Sequence, residues 1–363
     1  MLYLLLVTKG QGVTNMTNFE FGVYSLADIG VNPLTGETPS AMQRLQEILY
    51  MADLTEQLGL DVFGVGEHHR LDYVVSAPPV VLSAISQRTK RIKLTSTTTV
   101  LSTVDPVRLF EDFATLDMLS NGRAEILAGR GAFIESFPLF GFDTKDYDAL
   151  FEENLLLLQQ LNKEERVTWN GHFRAPLRKA EISPRPIQKE LPIWVGVGGT
   201  PESAIRAGKF GIGMALAILG GPLDRFQPLV DLYREAGQQH VEKLNVGVTG
   251  HLFIAETTEQ AREEFYPYYK NYWHYVNQQR GGLGFQLSFE QFEDMTAPHM
   301  ALFVGSPEAV AEKIIKQHQL FGHTRFLAQP DIGGQPIELV ERSMKLFAEK
   351  VVPIVNEYLQ QQN

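Results

Sequence analysis

The sequence predicts an α/β fold, a (β/α)8 TIM barrel with an insertion near the mouth before its eighth strand. Three observations point there. Strand-like and helix-like runs alternate strictly, eight of each along 363 residues. The strands are nearly continuously apolar, as parallel strands are when helices cover them. Three successive strands between Asp61 and Phe142 also end in polar residues, which fits one mouth of a parallel structure. The rival fold is a doubly wound sheet, and the glycine-rich turn Gly196-Val197-Gly198-Gly199-Thr200-Pro201 tests it. Pro201 stands where the dinucleotide fingerprint needs its third glycine, and the turn follows the fifth strand, not the first.

In chain order, Phe19–Leu26 is the first strand, and Asn32-Pro33-Leu34-Thr35-Gly36 is a turn-rich loop. Ser40 caps a helix over 41–57, whose Leu45, Ile48, Leu49 and Ala52 form a buried stripe, with Gly59 as its left-handed end. Asp61–Gly66 is the second strand, and a helix led by Pro78-Pro79 runs to Thr89. Ile92–Leu101 is the third strand. Asp105 caps the next helix, with Pro106 in its first turn and Asn121-Gly122 as its stop. Ala124–Ala128 is the fourth strand and 146–163 a long helix. Val167–Phe173 reads as a hairpin with an Asn-Gly turn. Pro192–Val197, Ile212–Ile218, Val246–Ile254 and Thr324–Ala328 complete the strands, and Thr200-Pro201-Glu202-Ser203 opens a helix after the fifth. Helices over Ser306–Leu320 and Pro336–Lys350 finish the alternation. The aromatic segment Phe265–Phe292, with Gly281-Gly282-Leu283-Gly284, breaks the rhythm and is the insertion. It shapes the pocket, or it belongs to core or interface.

Composition narrows the function. With 44% hydrophobic and 21% charged residues the chain is ordinary for a globular protein. It has no cysteine, which removes disulfides, Cys-metal sites and a Cys nucleophile and fits a cytoplasmic setting. A net charge of -11 without a basic cluster argues against a nucleic-acid partner. The apolar run Met1–Val7 is too short for a membrane span and lacks a basic leader. Met16 is a second plausible start, so residues 1–15 read as a poorly ordered extension and 16–363 as one domain.

The strand ends carry the chemistry. Successive strand side chains point to opposite faces, so Glu67, His68 and His69 cannot ligate one metal together. One histidine packs below while the other faces the mouth as a proton donor or orienting group. Thr97-Thr98-Thr99 reads either as a β-branched strand or as a close surface for a flat ligand. Arg130, between Gly129 and Gly131, suits a phosphate or an anionic ring edge that backbone can approach closely. Gly196–Ser203 exposes backbone N–H groups at a helix start, where negative charge is favoured.

These residues resemble the bacterial luciferase-like, flavin-dependent monooxygenase family. The likeness lies in Glu67-His68-His69, Asp105-Pro106-Val107-Arg108, Asp117 to Arg123 and Arg130-Gly131, in order over about 80 residues. The resemblance implies reduced FMN bound at the mouth, its phosphate near Arg130 and Gly198-Gly199-Thr200. Gly131 and Gly196 would flank that cofactor. A non-prolyl cis peptide at Thr97–Thr98 would lie under the flavin ring, and His68 would be catalytic. O2 would form a peroxyflavin that oxygenates a small-molecule substrate, with FMNH2 supplied by a separate flavin reductase. A homodimer is implied by analogy.

Two departures stand out. Luciferases carry a reactive cysteine where Gly129 stands here, which implies a non-luminescent relative. An acidic residue of some members is replaced by Gly198, which implies mostly backbone contacts to the phosphate. Alternatives on the same scaffold are a flavin- or deazaflavin-linked dehydrogenase or reductase and a non-catalytic flavin binder.

Overall fold

Short apolar runs make the strands here, and capped amphipathic helices carry the chain back between them. The computed structural model describes residues 19–131, 133–279 and 286–362. In chain order the strands are β1 (Glu20–Ser25), β2 (Val62–Val65), β3 (Lys93–Ser96), β4 (Thr99–Val100) and β5 (Ala124–Gly129). After them come β6 (Arg166–Trp169), β7 (Leu177–Glu181), β8 (Ile193–Val197), β9 (Gly213–Ala217), β10 (Val246–Ile254), β11 (Phe303–Gly305) and β12 (Arg325–Gln329). Eight of them close a parallel ring in the order β1, β2, β3, β5, β8, β9, β10, β12, with Glu20 of β1 beside Arg325 of β12 at the seam.

The first helices are α1 (Ala41–Gln57), α2 (Pro78–Arg88), α3 (Pro106–Ser120), α4 (Ser136–Phe140), α5 (Tyr147–Lys163) and α6 (Pro201–Lys209). The others are α7 (Gln227–Ala236), α8 (Thr258–Gln279), α9 (Phe289–Met295), α10 (Pro307–Phe321), α11 (Ile337–Leu346) and α12 (Val352–Gln362). Capping follows the expected chemistry. The Ser40 hydroxyl accepts from the Gln43 N–H at 3.2 Å, the Asp105 carboxylate from Val107 N–H at 2.9 Å, and Asn121 ends α3 at φ 59°. The main core lies between ring and helices; a second cluster of Phe253, Phe265, Tyr269, Phe292 and Leu302 binds α8, α9 and β11 to the outer half of β10.

The strand starts close the base of the barrel with charge. Arg325 reaches Glu125 at 2.6 Å and Glu20 at 2.7 Å, Lys93 lies 3.3 Å from Glu125, and the Arg325 guanidinium sits 4.4 Å above the Trp194 ring.

Three expectations need correction. The third strand is interrupted, because Thr97–Thr98 is a cis peptide between β3 and β4. The hairpin is β6–β7, but its connection is the seven residues 170–176, not an Asn-Gly turn. Glu153 causes this: its carboxylate accepts from the backbone N–H of His172, Phe173 and Arg174 and holds the loop open. Of the two roles left open for the aromatic segment both occur: it is helical as far as Gln279, part of α8, its Phe265, Tyr268 and Tyr269 are core, and its Tyr272 lines the cavity. The last helix does not stop at Lys350; a π turn over Phe347–Val351 carries it into α12. Residues 1–15 and the Gly281–Gly284 run lie outside the described residues. No described helix is long and apolar enough to cross a membrane.

Candidate active site at the barrel mouth

The carboxyl ends of the ring strands surround an open cavity of about 900 Å³. His68, Thr97, Thr98, Gly131 and Gly196 all line it, among apolar neighbours such as Val100, Leu127, Ala215 and Leu219.

The Glu67-His68-His69 run divides its labour. Glu67 is bonded twice: one carboxylate oxygen lies 2.8 Å from His69 Nε2, and the other accepts the Val100 N–H at 3.0 Å. It thereby ties β2 to β4 and fixes His69. His68 forms no side-chain hydrogen bond among the described residues; its ring lies tilted by 34° against Tyr73 at 4.0 Å and meets Phe133 edge-on at 5.4 Å. Burial pushes its pKa down to about 4; Asp72 opposes that, while Arg70 and His69 add to it. His68 is therefore neutral at pH 7, with neither ring nitrogen bonded among the described residues. No group of three or more potential metal ligands occurs among the described residues.

The Thr97–Thr98 floor is made possible by missing side chains around it. A Cβ on Gly64 would stand 2.5 Å from Thr97 Cγ2, one on Gly129 2.5 Å from Thr98 Oγ1, and one on Gly196 3.2 Å from Thr98 Cγ2. Gly129 thus makes room for Thr98, not for a ligand as the sequence suggested. Gly129→Ala should lower stability in urea unfolding by about 1–3 kcal/mol, an overpacking cost. An unchanged midpoint would refute that tightness.

Arg130, Gly198, Gly199 and Thr200 do not line the cavity; the charged residues meet beside Gly131 and Gly196, which do. Arg130 Nη2 donates to Ser203 Oγ at 2.9 Å and to Thr200 Oγ1 at 3.1 Å, and those hydroxyls lie 2.6 Å apart. Thr200 therefore spends its hydroxyl on Arg130 and Ser203, and gives α6 no side-chain cap. Arg130 also bonds Asp148 at 2.6 Å and lies 5.2 Å above the Tyr147 ring, while Arg206 approaches Asp148 at 3.5 Å. Gly198 and Gly199 face open space at the start of α6. The cluster can take a phosphate-sized anion with side chains beside the Gly198-Gly199 backbone.

Ser203 closes the Gly196–Ser203 run that the sequence points to, whereas Arg206, Tyr147 and Asp148 join the cluster unannounced. Arg206 follows Ser203 by one helical turn, a signal that was readable. Asp148 lies 18 residues from Arg130, and nothing local announces the pairing.

A family model described as luciferase-like monooxygenase matches residues 19–324, the stretch that holds all of these parts. The chain belongs to the luciferase-like monooxygenase family. Within it, N-acetyl-S-alkylcysteine monooxygenase of Bacillus subtilis is 31% identical over 51% of this chain and 54% of its own length, so the chain spans about half of that relative. The oxygenase component of flavin-dependent trigonelline monooxygenase of Acinetobacter baylyi is 23% identical, covering 87% of this chain and 91% of that protein. Among solved structures, monooxygenase RslO1 from Streptomyces bottropensis superposes with a TM-score of 0.78 at 26% identity, covering 92% of this chain and 99% of that one. An F420-dependent secondary alcohol dehydrogenase shares the fold, with a TM-score of 0.70 at 16% identity over 93% and 99% of the two chains.

Proposed function

We propose that this chain is the oxygenase component of a two-component monooxygenase, taking reduced FMN from a separate reductase and oxygenating a small organic molecule with O2. The observation that carries this is the pairing of the Arg130–Thr200–Ser203 cluster with the Thr97–Thr98 floor on neighbouring strand ends. An anionic tail and a flat ring need those two surfaces side by side. The names of the relatives support the reading.

The residues fit the cofactor. Arg130, Thr200 and Ser203 would hold its phosphate with the Gly198-Gly199 backbone, and Thr97, Thr98, Gly131 and Gly196 would bed the ring. When bound, reduced FMN supplies the two electrons that let O2 give one oxygen atom to the substrate and the other to water. His68 keeps its imidazole neutral, accepts a proton at one ring nitrogen or donates one from the other, and faces the reacting molecule. The apolar wall of Val100, Leu127, Ala215 and Leu219 excludes water from the centre.

Titrating the purified chain with FMN and FMNH2 tests this. Wild-type protein should bind both, and Arg130→Met should weaken binding by roughly 10- to 100-fold, the worth of a charge-assisted contact. His68→Ala should keep flavin affinity but lower the yield of oxygenated product per flavin consumed by about 100-fold or more. The reading fails if neither flavin binds, or if a deazaflavin binds in their place.

A further inference from the structure

The wall of the cavity across from the Thr97–Thr98 floor carries two polar side chains that the flavin reading leaves unused. In the ring order, β10 stands four strands from β3, and β12 stands four strands from β5. His251 of β10 and Gln329 at the end of β12 are direct neighbours in the parallel register. Both line the cavity, and each is only 1% exposed. Neither His251 ring nitrogen has a hydrogen-bond partner among the described residues, and neither end of the Gln329 amide does. Thr249, two residues before His251 on the same strand face, lines the cavity beside them. The edges of Tyr269 and Tyr272 hold the His251 ring, at 5.8 and 5.0 Å between centroids.

Buried polar side chains are almost always paired, so two adjacent unpaired ones lining a cavity call for an explanation, and a ligand's polar group supplies one. We propose that His251 and Gln329 form the recognition subsite for the substrate, an uncharged and otherwise apolar molecule carrying one carbonyl-containing head group such as a ketone or carboxamide. This rests on the reading that the opposite wall belongs to the flavin. The head group is uncharged because the subsite offers it no charge. Gln329 is neutral, and burial pushes the His251 pKa down to about 3. Side by side, the amide and the imidazole present both donors and acceptors, which suits a carbonyl oxygen or an amide better than bare hydrocarbon. The rest of the molecule meets Leu127, Ala215, Ala217 and Leu219.

The test uses four probes of similar bulk on the full-length chain: cyclohexanone, cyclohexanecarboxamide, methylcyclohexane and cyclohexanecarboxylate. Their binding is followed by ligand-observed NMR without flavin. Wild-type protein should favour the ketone or carboxamide over methylcyclohexane by about 10-fold or more, and Gln329→Leu and His251→Leu should each cut that preference to about 3-fold or less. Melting temperature gives a second readout, since replacing an unpaired buried polar group by an apolar one should raise it, whereas a structural role would make it fall. The proposal is overturned by an unchanged preference in the variants, by tighter binding of the carboxylate, or by a lowered melting temperature. A fall in FMN affinity in these variants matching the fall in probe affinity would also overturn it, assigning the wall to the cofactor. Failure of the wild-type chain to bind FMN would overturn the flavin reading alone, because probe discrimination is read without flavin.

Discussion

Arg325→Met should cost about 3–5 kcal/mol in denaturant unfolding, because it leaves buried carboxylates without their main cation. Arg325 and Glu125 have side chains 4% and 3% exposed, so solvent cannot replace the lost partner. Burial raises the Glu125 carboxyl, but Arg325 and Lys93 reverse this and hold it below the usual carboxylate range. After the substitution only Lys93 remains, 3.3 Å from Glu125. The intact network need not add much net stability; its one-sided removal is what costs. Adding Glu125→Gln to Arg325→Met should therefore restore much of the loss. A double variant no more stable than the single one would show that the cluster does not act as a unit.

Acid should destabilise the fold steeply below pH 6.5, through buried histidines. Burial pushes His251 and His323 each down to about 3 in the folded chain. Between the unfolded value near 6.5 and that folded value, the unfolded chain binds the extra protons. Stability then falls as pH falls, by about 1.4 kcal/mol per pH unit for each histidine. Asp28 works the other way. Burial is the largest influence on it; Arg44 lowers its pKa and Asp331 raises it, leaving it at about 6. Its protonation therefore favours the fold between roughly pH 6 and 4 and offsets part of the loss. Urea unfolding at pH 6.5, 5.5 and 4.5 measures the slope, and His323→Phe should remove one histidine's share. An identical slope in that variant would contradict the assignment.

The barrel was legible because its signals are local and repeated: capped helices at Ser40 and Asp105, and apolar strands between them. The Thr97–Thr98 break was legible only through family resemblance, since the residues themselves read as one continuous β-branched strand. His68 and Arg130 could be found because each ends a strand. The joining of Arg130 to Ser203 spans 73 residues and the pairing of His251 with Gln329 spans 78, and only ring closure brings such residues together. The Asn-Gly turn failed for a similar reason, because the distant Glu153 supplies what a tight turn would otherwise have given the backbone. Polar residues inside Val246–Ile254 were the overlooked local clue, since a buried apolar strand has no use of its own for histidine.

The fork in β10 has a further consequence. Its residues up to His251 pair within the ring, while Leu252, Phe253 and Ile254 turn to β11. The cluster formed by α8, α9 and β11 packs on that short outer stretch, and Tyr272 of α8 lines the cavity from one side. The surface opposite takes its shape from the ends of β3, β5 and β8. Such a scaffold can be lengthened, shortened or recombined between residues 255 and 302, while the ring strands before and after that segment stay as they are.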